Sequence, residues 1–299
     1  MKLFSALLKR NTKLFFKDKA MFFTALITPM ILLVLYATFL GDVYRDAFLA
    51  GLPEGMTMQK KLLDACVGGQ LISSILAVSC VTVAFCSNML MVQDKANGSI
   101  KDLSIAPVKP QIMALGYYCA TLLSTLIICF TATTICLGYI AITGWYLSVT
   151  DIFFLFLDVI LLVLFGTALS SIINFFLSTQ GQISAIGSIV SSGYGFICGA
   201  YMPISQFSDG LQKVISFLPG TYGTSLVRNH AMRGAFAEMS AQGLPEEMIG
   251  VMRDAIDCNL YFFDHLVSDG IKYAILGGTV VFLIALYVLM NVWRGKQSK

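Results

Sequence analysis

Apolar residues run along this chain in long blocks separated by short polar islands. Residues 21–40, 68–92, 111–142, 152–177, 183–202 and 270–293 are each predominantly apolar over about 20 residues or more, the length that crosses a hydrocarbon core. They predict six membrane-spanning helices, with Pro29 tolerable inside the first. Residues 1–19 follow a different pattern. Leu3, Phe4, Leu7, Leu8, Leu14 and Phe15 recur at helical spacing, while Lys9, Arg10, Lys13 and Lys17 fall mostly elsewhere. That is the pattern of an amphipathic helix lying in the membrane interface. A signal peptide fits less well, because the basic region is long and no small-x-small cleavage site follows.

Two polar islands carry structure of their own. In 93–110, Asn97-Gly98 is a turn dipeptide, and Ser99 with Asp102 reads as a capping box. A short helix from about Ile100 to Ala106 follows, stopped by Pro107, and Pro110 opens the next element. Judged on physics alone, an ordinary connection between two spans accounts for this stretch equally well. In 203–269, Ile204, Phe207, Leu211, Val214, Ile215 and Leu218 form a stripe at helical period, broken by Pro219-Gly220. A second amphipathic helix starts at Leu244-Pro245-Glu246-Glu247, with Met248, Val251, Met252, Ala255 and Ile256 on one face. Neither is long or apolar enough to span. Residues 41–67 read as a polar loop, 143–151 as a short turn with the interfacial residues Trp145 and Tyr146, and 178–182 as a tight uncharged loop.

Composition fixes the solvent. The chain is 57% hydrophobic and 12% charged, with mean hydropathy +0.78, whereas soluble domains carry roughly 25% charged residues. The expected fold is therefore an all-α integral membrane protein, one transmembrane domain over 1–299. Charge sets the orientation. With both termini and the 93–110 loop on one side, that side holds Lys2, Lys9, Arg10, Lys13, Lys17, Lys19, Lys95, Lys101, Lys109, Arg294, Lys296 and Lys299 against only Asp18, Asp94 and Asp102. The positive-inside rule makes that side cytoplasmic and the 203–269 segment extracellular. The expected location is the cell membrane, a bacterial plasma membrane.

Candidate chemistry is sparse. The eight cysteines form no C-x-x-C pair and read as small hydrophobes; a bond involving Cys66 or Cys258 is left open. There is no G-x-x-x-x-G-K-[ST] loop and no H-E-x-x-H, so neither a catalytic residue nor a metal site is assigned. Basic residues lack aromatic interleaving, so no nucleic acid partner is implied. Asp158 is the acid deepest within a span; the favoured account places it near the outer end, reaching interfacial water, over a functional intramembrane charge. Gly187, Ser191, Gly195 and Gly199 make a small-x-x-x-small stripe, suited to close helix packing within one subunit or to a subunit interface or substrate path. Spans two and five combine such residues with hydroxyls and amides. Asn88, Ser191 and Ser192, with Phe85 and Tyr194 as apolar walls, are the candidates for a substrate pathway; interhelix glue explains them almost equally well.

Two sets of residues, Asp94, Gly98, Ser99, Asp102, Leu103 and Pro107 in the first polar island and Gly199, Pro203, Pro219, Thr221, Tyr222 and Arg228 around the second, resemble motifs of the ABC-2-type transporter permeases, in a drug or multidrug-like branch. The cytoplasmic loop of that family reads roughly Glu-x-x-x-Gly-Thr-x-x-Glu-x-Leu followed by Pro. Here Asp94, Gly98, Ser99, Asp102, Leu103 and Pro107 keep the order, with Asp for Glu, Ser for Thr and slightly different spacing. The family also leaves its fifth span through Gly-x-x-x-Pro, then a re-entrant helix, Asn-Pro-x-Thr-Tyr and an Arg. This chain has Gly199, Pro203, Leu218-Pro219-Gly220-Thr221-Tyr222 and Arg228, with Leu218 replacing the Asn. The resemblance implies six spans, an N-terminal interfacial helix, and re-entrant extracellular helices between spans five and six. It also implies a docked cytoplasmic loop, a second permease as homo- or heterodimer partner, and a separate ATPase subunit that binds the ATP and Mg; this chain itself binds no cofactor. An outward transporter of an amphipathic drug, peptide or lipid follows. The alternatives are a polysaccharide or teichoic-acid-type exporter of the same family, or a non-transporting membrane protein such as an intramembrane enzyme or assembly factor.

Overall fold

The computed structural model describes residues 2–50, 52, 58–100, 103, 110–263 and 265–297. Asp102 and Pro107 lie outside the described residues, as do Lys101, Lys109 and Lys299. Nearly everything else is helix: α1 (Lys2–Lys17), α2 (Lys19–Leu35), α3 (Gly41–Ala50), α4 (Lys60–Ala96), α5 (Pro110–Thr143), α6 (Val149–Phe176), α7 (Gln180–Ile197), α8 (Asp209–Ile215), α9 (Pro219–Ala241), α10 (Glu246–Ala255) and α11 (Asp269–Gln297). Strands β1 (Tyr261–Phe262) and β2 (His265–Leu266) pair antiparallel just before α11.

The core is built around α4. Its 37 residues span about 55 Å at 1.5 Å each, and they carry no apolar stripe because the helix is buried on every side. Helices α2, α5, α6, α7 and α9 all pack on it. Leu76, Ala77, Cys80, Val81 and Ala84 are fully enclosed. Helix α1 lies along α5, burying Leu7, Asn11 and Phe15 at four-residue spacing. By contrast α2 shows most of its apolar surface outward, with Phe23, Ile27, Met30, Ile31 and Val34 all exposed.

Five helices are long and apolar enough to cross a membrane among the described residues: Lys19–Leu49, Lys60–Ala96, Pro110–Thr143, Val149–Phe176 and Asp269–Trp293. The chain is a multi-pass membrane protein. Helix α7, the expected fifth span, is 18 residues long but too rich in Gln, Ser and Gly to join them, and it stops at Ile197 instead of Met202. The stop is local. Gly199 adopts φ +74°, which suits glycine, and the chain folds back so that Ala200 and Tyr201 both donate to the Gly195 carbonyl at 2.9 and 3.0 Å. The small-residue stripe is thereby divided. Gly187 faces Met89 of α4, Gly195 faces the Tyr201 ring, and Gly199 sits over Ile204 and Asp257.

Other expectations need correction. The polar 41–67 loop is largely helical: a π-turn at Tyr36–Leu40 leads straight into α3, and α4 begins at Lys60. Burial of Tyr44 and Phe48, four residues apart, holds α3 in place, and Arg45 pairs with Asp64 at 2.6 Å. The apolar stripe from Ile204 to Leu218 is two pieces, a 3-10 turn (Ile204–Gln206) and α8, divided at the extended Phe207 and Ser208. Pro219-Gly220 does not end an element; it opens α9, with Pro219 in the first turn. Nothing in the periodicity announced this 23-residue helix.

Because Ile215 is buried while Ser208 and Lys213 are exposed, a cysteine placed at Ile215 in a cysteine-free background should resist a water-soluble maleimide that labels cysteines at Ser208 and Lys213. Equal labelling at all three would show that α8 is detached.

Candidate functional site

The root of the 93–110 loop is tied to three helices. Arg10 of α1 donates two hydrogen bonds to Asp94, at 2.7 and 3.2 Å, and Tyr117 of α5 donates a third at 2.5 Å. Asp94, expected on the docking surface, is instead buried at the loop's base. Lys95 donates to the carbonyls of Asn174, Phe175 and Leu177, at 2.7, 2.9 and 3.0 Å, capping the last turn of α6. Three residues later α7 begins, held by a capping box between Thr179 and Gln182. Gly98 takes φ +80° in the expected turn, and Ser99, Ile100 and Leu103 are helical.

At the opposite end, α9 turns a polar face onto the loop after α10. Arg228, fully buried, donates to the carbonyls of Ile256 at 2.6 Å and Gly199 at 2.9 Å, and pairs with Asp257 at 3.4 Å. Asp257 accepts the Ile204 backbone N–H. One carbonyl, that of Cys258, receives Ser225, Asn229 and Lys272, at 2.8, 3.0 and 3.1 Å. Thr221 reaches the Ile215 carbonyl at 3.4 Å and Tyr222 the Ser216 carbonyl at 2.5 Å. Of the expected turn residues, Thr221, Tyr222 and Arg228 form a latch onto the ends of α7, α8 and α10, while Pro203 leads into the Ile204 turn and Pro219 opens α9. Burial pushes the Asp257 carboxyl up to about 6, against the pull of Arg228 and the Ile204 N–H. Cys66 and Cys258 are both buried free thiols.

The other face of α9 reads the acids of α6. His230 Nδ1 lies 2.6 Å from Asp158, Tyr273 of α11 donates to the second Asp158 oxygen, and Phe154 stacks on the imidazole at 5.0 Å. One turn further along α9, Arg233 pairs with Asp151 of α6 at 2.5 Å. Asp158 is fully buried, which overturns the interfacial-water account: its solvent is a histidine and a tyrosine. Sequence reasoning missed Asp257, Ser225, Asn229, His230 and Lys272. The available signal was polar, since Ser225, Arg228 and Asn229 recur at helical spacing.

The pathway candidates separate into two sets. Phe85 and Tyr194 join Val81, Phe165, Leu276 and Val280 in a closed cluster. Asn88 donates to Ser170 and Ser171 at 3.0 and 2.9 Å, and so ties α4 to α6. Ser191 and Ser192 instead line an open groove of about 860 Å³ between α2 and α7. Its other wall is Ile27, Ile31, Leu35 and Phe39, and it ends at Tyr44, Tyr201 and Ile256. A second cavity of about 450 Å³, sharing Ile27, Ser188 and Ser191, continues it toward Asp18, Gln93 and Gln180. Both are lined by the serine row of α7, and Cys86 and Met89 of α4 line the second. Among the described residues no group of His, Cys, Asp or Glu could hold a metal ion.

Two outcomes follow from these contacts. His230→Ala strands a buried carboxylate and should cost about 3–5 kcal/mol, read as a lower melting temperature; the apolar pair Asp158→Leu with His230→Leu should recover much of it, and additive losses would refute the coupling. For Asp257, the folded carboxyl keeps its proton up to about 6, whereas the unfolded chain releases it near 3.9. Its contribution to stability is therefore full below about pH 4 and lost as the pH rises through 6. The melting temperature of the parent should fall over that window relative to Asp257→Asn, and parallel profiles would remove the effect.

A search of curated proteins finds no match. A family model described as ABC-2 type transporter matches residues 2–231, from the first helix to the middle of α9. The chain belongs to the ABC-2 type transporter family, as a membrane permease subunit of an ABC transporter.

Proposed function

We propose that this chain is the permease half of an ATP-driven exporter in the cell membrane, moving an amphipathic substrate outward through the groove between α2 and α7. The observation that carries the reading is the groove itself: an apolar wall from α2 faces a serine row from α7 along much of the bundle. In hydrocarbon, hydroxyls are retained where a protein partner or a polar ligand meets them. Counting α7, the chain has six spans, both termini are cytoplasmic, and the 203–269 segment is extracellular. A second permease, identical or related, closes the open side of the groove, and a separate ABC ATPase supplies ATP and Mg. A sugar-polymer path is less well supported, because the groove wall is mainly aliphatic.

The contacts at the loop root supply a route for force. The ATPase docks on the loop after Gly98 and pushes when ATP closes it. Asp94, through Arg10 and Tyr117, keeps that push from dissipating in the interfacial helix. Lys95 passes it to the last turn of α6, and only Leu177 to Thr179 separate that turn from α7. Helix α7 is therefore the wall that moves, and alternating access is its approach to and retreat from α2.

Two variants test this in a complex reconstituted with its ATPase. Lys95→Met keeps length and apolar bulk but removes the ammonium; it should leave assembly intact and abolish substrate stimulation of ATP hydrolysis. Ser191→Trp should fill the groove and lower export of a fluorescent amphipathic dye about tenfold per assembled complex. Normal export per complex in both variants would sink the reading.

A further inference from the structure

Outside the spans, three phenyl rings stand exposed together where the 203–269 segment rejoins α11. Phe217 follows α8, and Phe262 and Phe263 belong to the β1–β2 hairpin. They meet edge to face, with centroids 4.9, 5.2 and 6.0 Å apart, yet Phe217 is 62% exposed and Phe263 52%. Val214 on α8 and Leu266 on β2 are exposed as well. Phe263 holds φ +45°, where Gly or Asn would sit with less strain. Turn geometry alone therefore does not account for a bulky apolar ring at that position.

The supports of these rings set their depth. Ile215 of α8, and Leu260 and Val267 on either side of the hairpin, meet in a small core with Ile204, Tyr222, Phe207 and Ile275 of α11. Ile275 lies inside the membrane-crossing helix Asp269–Trp293, about 9 Å along its axis from Asp269. Ile271 of the same helix is exposed, as a lipid-facing residue is. The lipid-facing surface of the span thus begins at the height of the rings. Tyr261 donates to Asp254 at 3.1 Å, and both are exposed, which gives the hairpin a polar foot on the water side. From Asp254 to Leu266 the chain has no Lys or Arg, so nothing on the hairpin attracts an anionic head group.

We propose that Phe217, Phe262 and Phe263 insert among the acyl chains of neutral lipid, at the interface of the leaflet in which α11 begins. Aromatic rings suit that zone, and burial of their apolar surface drives the contact. The consequence is positional. The Val267 N–H donates to the Leu260 carbonyl at 2.9 Å and closes the hairpin two residues after Cys258, whose carbonyl receives Ser225, Asn229 and Lys272. Rings held in the leaflet fix the height of that turn, and with it the latch on which Arg228 holds the end of α7. The contact requires a membrane protein and not an exporter, so its failure leaves the exporter reading untouched.

The test uses the full chain in phosphatidylcholine nanodiscs, in a Trp145→Phe, Trp293→Phe background so that one indole reports. Phe217→Trp and Phe263→Trp each keep a ring at the site, and Val251→Trp, at an exposed position of α10, is the water-facing control. Phosphatidylcholine brominated in the upper acyl chain should quench the first two and spare the control. Acrylamide in the buffer should quench the first two several-fold less than the control. In an independent measurement without reporters, Phe262→Ser with Phe263→Ser should speed amide exchange across Leu260–Val267 about tenfold or more, the burial of roughly one phenyl ring. Equal acrylamide quenching at all three positions, or exchange unchanged in the serine variant, would overturn the proposal. So would shielding of Phe217→Trp and Phe263→Trp from both quenchers, since the rings would then be covered by protein, such as a second copy of this chain.

Discussion

The fold depends on a guanidinium buried where no water reaches it. A guanidinium is a permanent cation, so burying Arg228 requires compensating groups, which its two terminal nitrogens find and its Nε does not. The carbonyls of Gly199 and Ile256 and the carboxylate of Asp257 supply them. Each of those partners ends or follows a helix, so one cation fixes where α7 stops, where α10 stops, and how the Ile204 turn is hung between them. The compensation is mutual: Asp257 tolerates burial because Arg228 and the Ile204 N–H face it.

Helix α9 repeats this logic around its circumference. Ser225, Arg228 and Asn229 hold one side to the 256–258 turn, while His230 and Arg233 hold the other to Asp158 and Asp151 of α6. Such contacts are directional and demand their partners, unlike apolar packing, which tolerates sliding. A polar helix held in this way ties α6, α9, α11 and the 256–258 turn together at the far end of the bundle.

At the loop end the polar contacts are fewer and more exposed. Arg10, Asp94 and Lys95 join α1, α5 and α6 at one point, and the link onward to α7 is short. In the proposed mechanism a displacement of the loop would reach α7 through this point, and of the two groove walls α7 is the less buried and the less apolar.

The sequence by itself determined what burial by lipid or by an apolar stripe can encode. Block lengths marked α2, α4, α5, α6 and α11, the basic amphipathic pattern marked α1, and Asn97-Gly98 marked the turn into the loop, because each depends on neighbouring residues alone. Ser191 and Ser192 were also legible as groove candidates, since hydroxyls in a span stand out against hydrocarbon. Tertiary structure decided the rest. Helix α9 was invisible because its burial is satisfied by polar partners distant in sequence: Asp158 lies 72 residues from His230 and Asp257 lies 29 from Arg228. The same distance hid whether Asn88 faced a cavity or Ser170, and whether Asp94 faced an ATPase or Arg10. A lone polar residue announces that it needs a partner; only the packed bundle supplies the geometry that names it.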